Sequence, residues 1–156
     1  MRHKAIQITS AQRFIHCAEV INSMRRKIFL SGPIRGISRE KSLGWRNLAI
    51  KYLSKNFEVL HALRGREEKE TFADSRAAVI RDINDIKSSD IILVNDTIKD
   101  CSMIGTSMEV FFAHQQDKPI IVFGNAHEKD YWLNYHIHLR VKSLKDACDI
   151  INKMFV

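Results

Sequence analysis

From Lys27 to the C-terminus, short apolar runs alternate with longer segments whose apolar residues recur at helical spacing, and this alternation leaves the chain few folds to choose from. The run KIFLSG (27–32) ends in a Gly-Pro break, as a buried strand does. SREKSLGWRNLAIKYLSKN (38–56) opens on Ser38, a residue suited to a helix N-cap, and places Trp45, Leu48, Ala49 and Tyr52 at helical spacing. FEVLHAL (57–63) reads as the second strand. After the polar stretch GREEKETFADS (65–75), Val79, Ile83 and Ile86 share one helical face that stops at KSSD (87–90). IILVND (91–96), TSMEVFFAHQQ (106–116), KPIIVFGN (118–125), the edge strand HLRVKS (138–143) and the helix LKDACDIINKMF (144–155) complete the series. Repeated βα order predicts a single α/β domain: a parallel five-stranded, flavodoxin- or Rossmann-like sheet with helices on both faces. Ligands of such sheets sit at the carboxyl ends of the strands. Attention therefore falls on GPIRG (32–36), HALRGRE (61–67), NDTIKDCSMIG (95–105) and GNAHEKD (124–130).

A chain of 156 residues, 45% of them apolar, is the size of one domain with an adequate core. It contains no apolar stretch of membrane-spanning length and no signal-peptide core near its N-terminus, so the expected address is the cytoplasm, away from membranes. Cys17, Cys101 and Cys148 are odd in number and widely spaced, which suits three reduced thiols better than a disulfide framework or a zinc site. Of the net charge of +7, most resides in residues 1–27, where six Lys or Arg face Glu19 alone. Residues 1–26 thus read as a basic helical extension, with Phe14, Ile15, Ala18 and Ile21 along one side, ahead of a nearly balanced body at 27–156. Such a stretch fits a solvated helix face, an attraction for small anions, or contact with RNA. No nucleic-acid module accompanies it, which argues against a nucleic-acid partner.

Three features of the body carry chemistry. In GPIRG, two glycines let backbone N–H groups approach a ligand closely, and Arg35 can grip an oxyanion with two parallel hydrogen bonds; the bland alternative is a tight turn with a surface arginine. Glu109 stands near the head of an otherwise apolar helix. Thr106-Ser107-Met108-Glu109 has the form of a capping box, which by itself would account for the acid. A carboxylate at a helix head above a strand's carboxyl end, with Gly105 leaving room for a ligand, can equally attack the anomeric carbon of a sugar. Asp82 borders the apolar face of its helix and could face either a cleft or water, whereas Arg81 and Asp85 are spaced for a surface ion pair. Asp90 reads as a turn residue. His136 and His138 would share one side of a strand, but without a third ligand they predict no metal, and no cofactor is called for. Trp45, Phe111 and Phe112 read as core.

Taken together, FLSGPIRG (29–36), RDINDIKSSDIILV (81–94) and GTSMEVFFAHQQDKPIIVFG (105–124) resemble the nucleoside 2-deoxyribosyltransferase superfamily from about Lys27 onward. The GPIRG loop is most similar to that of the nucleoside 5′-monophosphate N-glycosidases. The resemblance implies that Glu109 is a nucleophile forming a glycosyl ester and that Asp82 is the second acid, which orients the substrate and manages the leaving base's proton. It implies that Gly32, Ile34, Arg35 and Gly36 form a phosphate loop, with Gly105 opposite and Ser102 one residue out of step with a ligand-contacting position. It also implies a homodimer or larger assembly with shared sites, for which Asn134 is the residue to consider. Two positions depart from the family. Phe29 occupies the place of a strand tyrosine that often holds the nucleophilic acid, which should raise the Glu109 pKa. Pro33 occupies the place of a phosphate-binding serine.

The implied activity is hydrolysis of the N-glycosidic bond of a nucleoside 5′-monophosphate. The alternatives are a deoxyribosyltransferase moving the sugar between bases and a catalytically silent nucleotide-binding module. A cytokinin-type phosphoribohydrolase shares the GTxxE element, but DCSMI (100–104) stands where those proteins carry Pro-Gly-Gly.

Overall fold

A computed structural model describes residues 25–70 and 72–156. The helix expected over the basic extension, with Phe14, Ile15, Ala18 and Ile21, lies outside the described residues, as does Cys17. Arg25 and Arg26, just ahead of the first strand, are docked on the body: Arg25 donates to the Lys55 carbonyl at 2.5 Å, and Arg26 donates to the Phe155 carbonyl at 3.0 Å.

Strands β1 (Lys27–Ser31), β2 (Glu58–His61), β3 (Ile91–Asn95), β4 (Ile120–Phe123) and β5 (Leu139–Val141) form one sheet in the order β2-β1-β3-β4-β5. Every pairing is parallel, with Phe29 opposite Leu60 on one side and Ile92 on the other. This is the flavodoxin-like order. The helices are α1 (Arg39–Leu53), α2 (Ser75–Ser88), α3 (Ile104–His114), α4 (Tyr131–His136) and α5 (Leu144–Phe155). The central strands are apolar without alternation because both faces are covered. Ile28, Leu30, Ile91, Leu93 and Ile121 pack under α1 and α5, through Ala49, Leu53, Ala147 and Ile151. Phe29, Ile92, Val94, Ile120 and Val122 pack under the other three helices, through Ile86, Val110, Ala113 and Leu133.

Helix starts follow local chemistry. Ser38 caps α1 by accepting from Lys41 N at 3.2 Å, Asp74 caps α2 by accepting from Arg76 N at 2.9 Å, and Ser143 with Asp146 forms a reciprocal capping box on α5. Three expectations change. The buried side of α1 is Ser42, Arg46, Ala49 and Leu53, while Leu48 and Tyr52 are exposed. Helix α4 is a single short turn-and-a-half capped by Asp130, too brief for a periodic signal, and it takes His136 out of the strand expected to hold it beside His138. Arg81 does not pair with Asp85; it donates to the carbonyls of Ala62 and Arg64, and Asp85 pairs with Arg64 at 3.2 Å. Asp90 does hold its turn, accepting from Lys27 N at 2.7 Å.

Strand order reverses between β1 and β3. The loops leaving these two strands therefore separate and open a crevice at their carboxyl ends. GPIRG forms one wall and the approach to α3 the other.

Candidate active site

The floor of the crevice is set by β1. Successive side chains alternate between faces, so Phe29 and Ser31 point to the same side. Phe29 is fully buried in the core and lines neither of the two cavities that Glu109 borders, which corrects the ligand-contacting place expected for it. Ser31, one pleat further on, reaches the strand's end and donates a hydrogen bond to Glu109 Oε2. A serine two residues beyond Phe29 thus supplies the carboxylate with a hydroxyl partner.

The following loop is held rigidly. A Cβ on Gly32 would lie 2.8 Å from Trp45 Cζ2 and 3.0 Å from Asn95 Cβ, so only glycine fits. Gly36 has φ +85°, the left-handed turn that lets the chain enter α1. Arg46, fully buried, donates from Nη2 to the Gly32 carbonyl at 2.9 Å and from Nη1 to Ser42 O and Oγ at 2.6 and 2.7 Å.

Glu109 is not part of a capping box. Helix α3 begins at Ile104, behind Met103, which makes no side-chain cap; Thr106 is buried inside the first turn, and Glu109 falls in the second. The carboxylate is therefore free of backbone duty and less favoured by the helix dipole than the sequence suggests, since that effect fades beyond the first turn. Burial pushes its pKa up to about 7, helped by the negative charge of Asp82 and opposed by the Ser31 hydrogen bond and by Arg46. Asp82 is likewise raised by burial, to about 6, with Asp85 adding and Arg81, Arg66 and Arg46 opposing. Its Oδ1 is buried without a hydrogen-bond partner, because the nearest cation, Arg81 Nη2, stays 3.7 Å away. The charge of Asp82 thus reaches Glu109 and adds to the rise caused by burial.

Glu109 sits where two cavities meet. A polar lobe of about 580 Å3 is lined by Gly32, Pro33, Ile34, Arg35, Arg66, Ser102, Gly105 and Thr106 among others. An apolar lobe of about 530 Å3 is lined by Ala78, Val79, Asp82, Ile83, Ile86, Met108, Phe111 and Phe112 among others. Ile34, Arg66, Gly105 and Glu109 belong to both, so the lobes form one cleft with the carboxylate at the junction. Phe111 is a wall of this cleft and is partly exposed, where the sequence suggested core. A Cβ on Gly105 would meet nothing within 4 Å, so the junction is open there. Arg35 is exposed, with no hydrogen-bond or ion-pair partner among the described residues.

The structure thus brings Glu109, Asp82, Gly32, Pro33, Ile34, Arg35, Ser102 and Gly105 to one cleft, with Gly36 shaping the loop behind them. Sequence reasoning missed Ser31, Arg46 and Arg66. Arg66 donates to Ala62 O at 3.2 Å, pairs with Glu70 and lies 5.5 Å from the Phe72 ring, which fixes it between the two lobes. The signal was present: HALRGRE follows β2 at the same end of the sheet.

Asn134 lies outside this chain's cleft. Its Oδ1 accepts from Arg140 at 3.0 Å and its Nδ2 donates to the Glu128 carbonyl at 2.7 Å. It belongs to a second polar cluster, in which the fully buried Asp96 accepts from Arg140 Nη1 and contacts His127 Nδ1, each at 2.6 Å. None of these residues lines either lobe. Their role is to tie the loop after β4 to the ends of β3 and β5. Among the described residues no three His, Cys, Asp or Glu converge as metal ligands, and no helix is long and apolar enough to cross a membrane.

A cleft with a cationic, glycine-lined lobe, an apolar lobe and a carboxylate between them suits a ligand with an anionic end and a flat, apolar end. The bond exposed to the carboxyl pair would be the one joining the two parts. Comparisons with known proteins bear on the scaffold. No protein-family model and no curated protein matches the chain. Solved structures do. A 2-deoxyribosyltransferase from Bacillus psychrosaccharolyticus superposes with a TM-score of 0.62 at 19% identity, over 77% of this chain and 88% of that one. A CMP N-glycosidase from Clostridium botulinum gives 0.57 at 19% identity, over 82% and 99%. A molybdenum cofactor binding protein from Rippkaea orientalis gives 0.57 at 14% identity, over 85% and 98%. At these identities the likeness is one of fold: the chain has the α/β scaffold of the deoxyribosyltransferases and nucleotide N-glycosidases, a scaffold that a cofactor-binding protein also has.

Proposed function

We propose that this protein hydrolyses the N-glycosidic bond of a nucleoside 5′-monophosphate through a covalent intermediate on Glu109. The observation that carries the reading is the position of the Glu109 carboxylate: oriented by Ser31, at the junction of the polar and apolar lobes, with Asp82 lining the apolar lobe beside it. The phosphate would lie in the polar lobe on the Gly32–Gly36 backbone, with Arg35, Arg66 and Ser102 as donors. The base would fill the apolar lobe between α2 and α3.

Ser31 engages Oε2, which leaves Oε1 to attack C1′. As the C1′–O bond forms, the C1′–N bond breaks and its electron pair leaves with the base, which takes a proton from Asp82. Water then attacks C1′, gives its proton to Asp82 and restores the Glu109 carboxylate, releasing the sugar 5-phosphate. The first step needs Glu109 ionised and Asp82 protonated. With Glu109 raised to about 7 and Asp82 to about 6, a single proton near neutral pH rests mainly on Glu109, so the reactive form with the proton on Asp82 is the minor one in the free site. The same intermediate could pass its sugar to a second base, which is the deoxyribosyltransferase alternative; a new nucleoside formed from an added free base distinguishes it. A silent binding module is favoured by one observation, the fold shared with a molybdenum cofactor binding protein.

Chromatography of nucleosides and their 5′-monophosphates after incubation tests the reading. Free base should appear from the monophosphate with a bell-shaped pH profile whose limbs lie near the two carboxyl values. Glu109→Gln should lower turnover by at least about 10³ while leaving nucleotide binding within a few-fold. Arg35→Ala should raise KM for the monophosphate far more than for the nucleoside. Equal base release by wild type and Glu109→Gln rejects the mechanism; tight binding with no release by either selects the silent module. The family resemblance and the exposed apolar side chains around the apolar lobe also support a homo-oligomer with shared sites.

A further inference from the structure

Arg46 is fully buried under the polar lobe, yet among the described residues no carboxylate lies within ion-pairing distance of it. A buried guanidinium usually has such a partner, because an uncompensated interior charge is costly. Its donors go elsewhere: Nη1 to Ser42 O and Oγ, Nη2 to the Gly32 carbonyl, while Nε has no hydrogen-bond partner. Its Cζ lies 4.5 Å from the centroid of the Trp45 ring, and Trp45 Cζ2 in turn leaves no room for a Cβ on Gly32. Burial lowers its pKa to about 10, which leaves it charged at neutral pH, and the negative charges of Glu109 and Asp82 oppose that lowering. Its compensation thus comes at longer range from the two acids of the cleft.

We infer that Arg46 is a positioning residue that couples the two halves of the site, clamping the phosphate loop through the Gly32 carbonyl while its buried charge holds the Glu109–Asp82 pair in working condition. This rests on the glycosidase reading of the cleft. When Glu109 becomes an ester its charge is lost, and the field of Arg46 then acts on Asp82 alone. That favours the ionised Asp82 needed to take a proton from the incoming water.

Two variants separate charge from geometry. Arg46→Lys keeps the charge and loses the fork; Arg46→Met loses both at similar length. Carbon-13 NMR titration of the Glu109 carboxyl reads the charge without requiring turnover. Binding of CMP against cytidine, measured in the Glu109→Gln background, reads the loop. The Lys variant should leave the Glu109 midpoint nearly unchanged and weaken CMP about tenfold, with cytidine unaffected. The Met variant should also raise the midpoint by about one pH unit. Should the Met variant fail to fold, the CMP-to-cytidine split in the Lys variant decides. Wild-type midpoints and wild-type CMP binding in both variants, or equal losses for CMP and cytidine, overturn the inference. Shifted midpoints with no base release from wild type would instead reject the glycosidase reading and leave the coupling standing.

Discussion

An ionised carboxylate half-buried in a cleft loses much of its hydration, and at Glu109 the Ser31 hydroxyl and the field of Arg46 return only part of that loss. The consequence for stability has a definite sign. With a folded-state pKa of about 7 against an ordinary value of 4.5, the folded chain retains a proton that the unfolded chain has released across that interval. Stability therefore falls as pH rises from about 4.5 to about 7, and the whole cost is present at pH 8. Glu109→Gln removes the charge, so it should stabilise the protein by up to about 3 kcal/mol at pH 8, shrinking below about 1 kcal/mol at pH 5. Denaturant unfolding of both proteins at the two pH values checks this, and a pH-independent difference would mean that the carboxylate is not held in a dry site. Glu109 was legible in the sequence, because an acid interrupting an apolar helix after a glycine is conspicuous. Ser31 was not, since nothing in KIFLSG says which strand residue will meet a helix almost eighty positions later.

At the level of elements, α3 shows how local and tertiary signals compete. TSME has the spacing of a capping box, yet the helix starts two residues earlier, at Ile104, and Thr106 is buried within its first turn. The loop from β3 delivers the chain to α3 already positioned, and packing of Val110 and Ala113 on the sheet fixes the register. Gly105 consequently lies in the first turn, facing the cleft. Gly105→Ala should be stabilising by about 0.5 kcal/mol, because helix propensity improves and the new Cβ meets nothing. Gly105→Leu should fold equally well but obstruct the junction and lower kcat/KM by at least about 10². Thermal melts with parallel base-release assays test both, and a fully active Leu variant would place the substrate elsewhere. Helix α1 illustrates the converse. Its existence and its Ser38 cap were legible, but its rotation was not, because a hydrophobic pattern assigns an arginine to solvent while the fold buries Arg46.

For the whole molecule, Val79, Met108 and Phe111 stand exposed at the apolar lobe, Trp132 shares a neighbouring hollow with Met108 and Phe111, and Tyr131 and Tyr135 are exposed on the same short helix as Trp132. An apolar surface of that kind usually marks an interaction site. A second copy seated there would enclose the base end of the cleft, so light scattering should report a dimer or larger assembly, and Trp132→Glu should shift it toward monomer. A wild-type chain that stays monomeric at high micromolar concentration would reject shared sites. The parallel sheet, its βα order and the loops that matter were determined by sequence alone, because continuous apolar strands and 3.6-residue spacing are local properties that a chain carries wherever it lies. Which side chains converge was decided only by the tertiary structure. Ser31, Arg46, Arg66 and Asp82 come from four separate elements, and their meeting at Glu109 depends on strand order and helix rotation, which are set by the packing of the entire core.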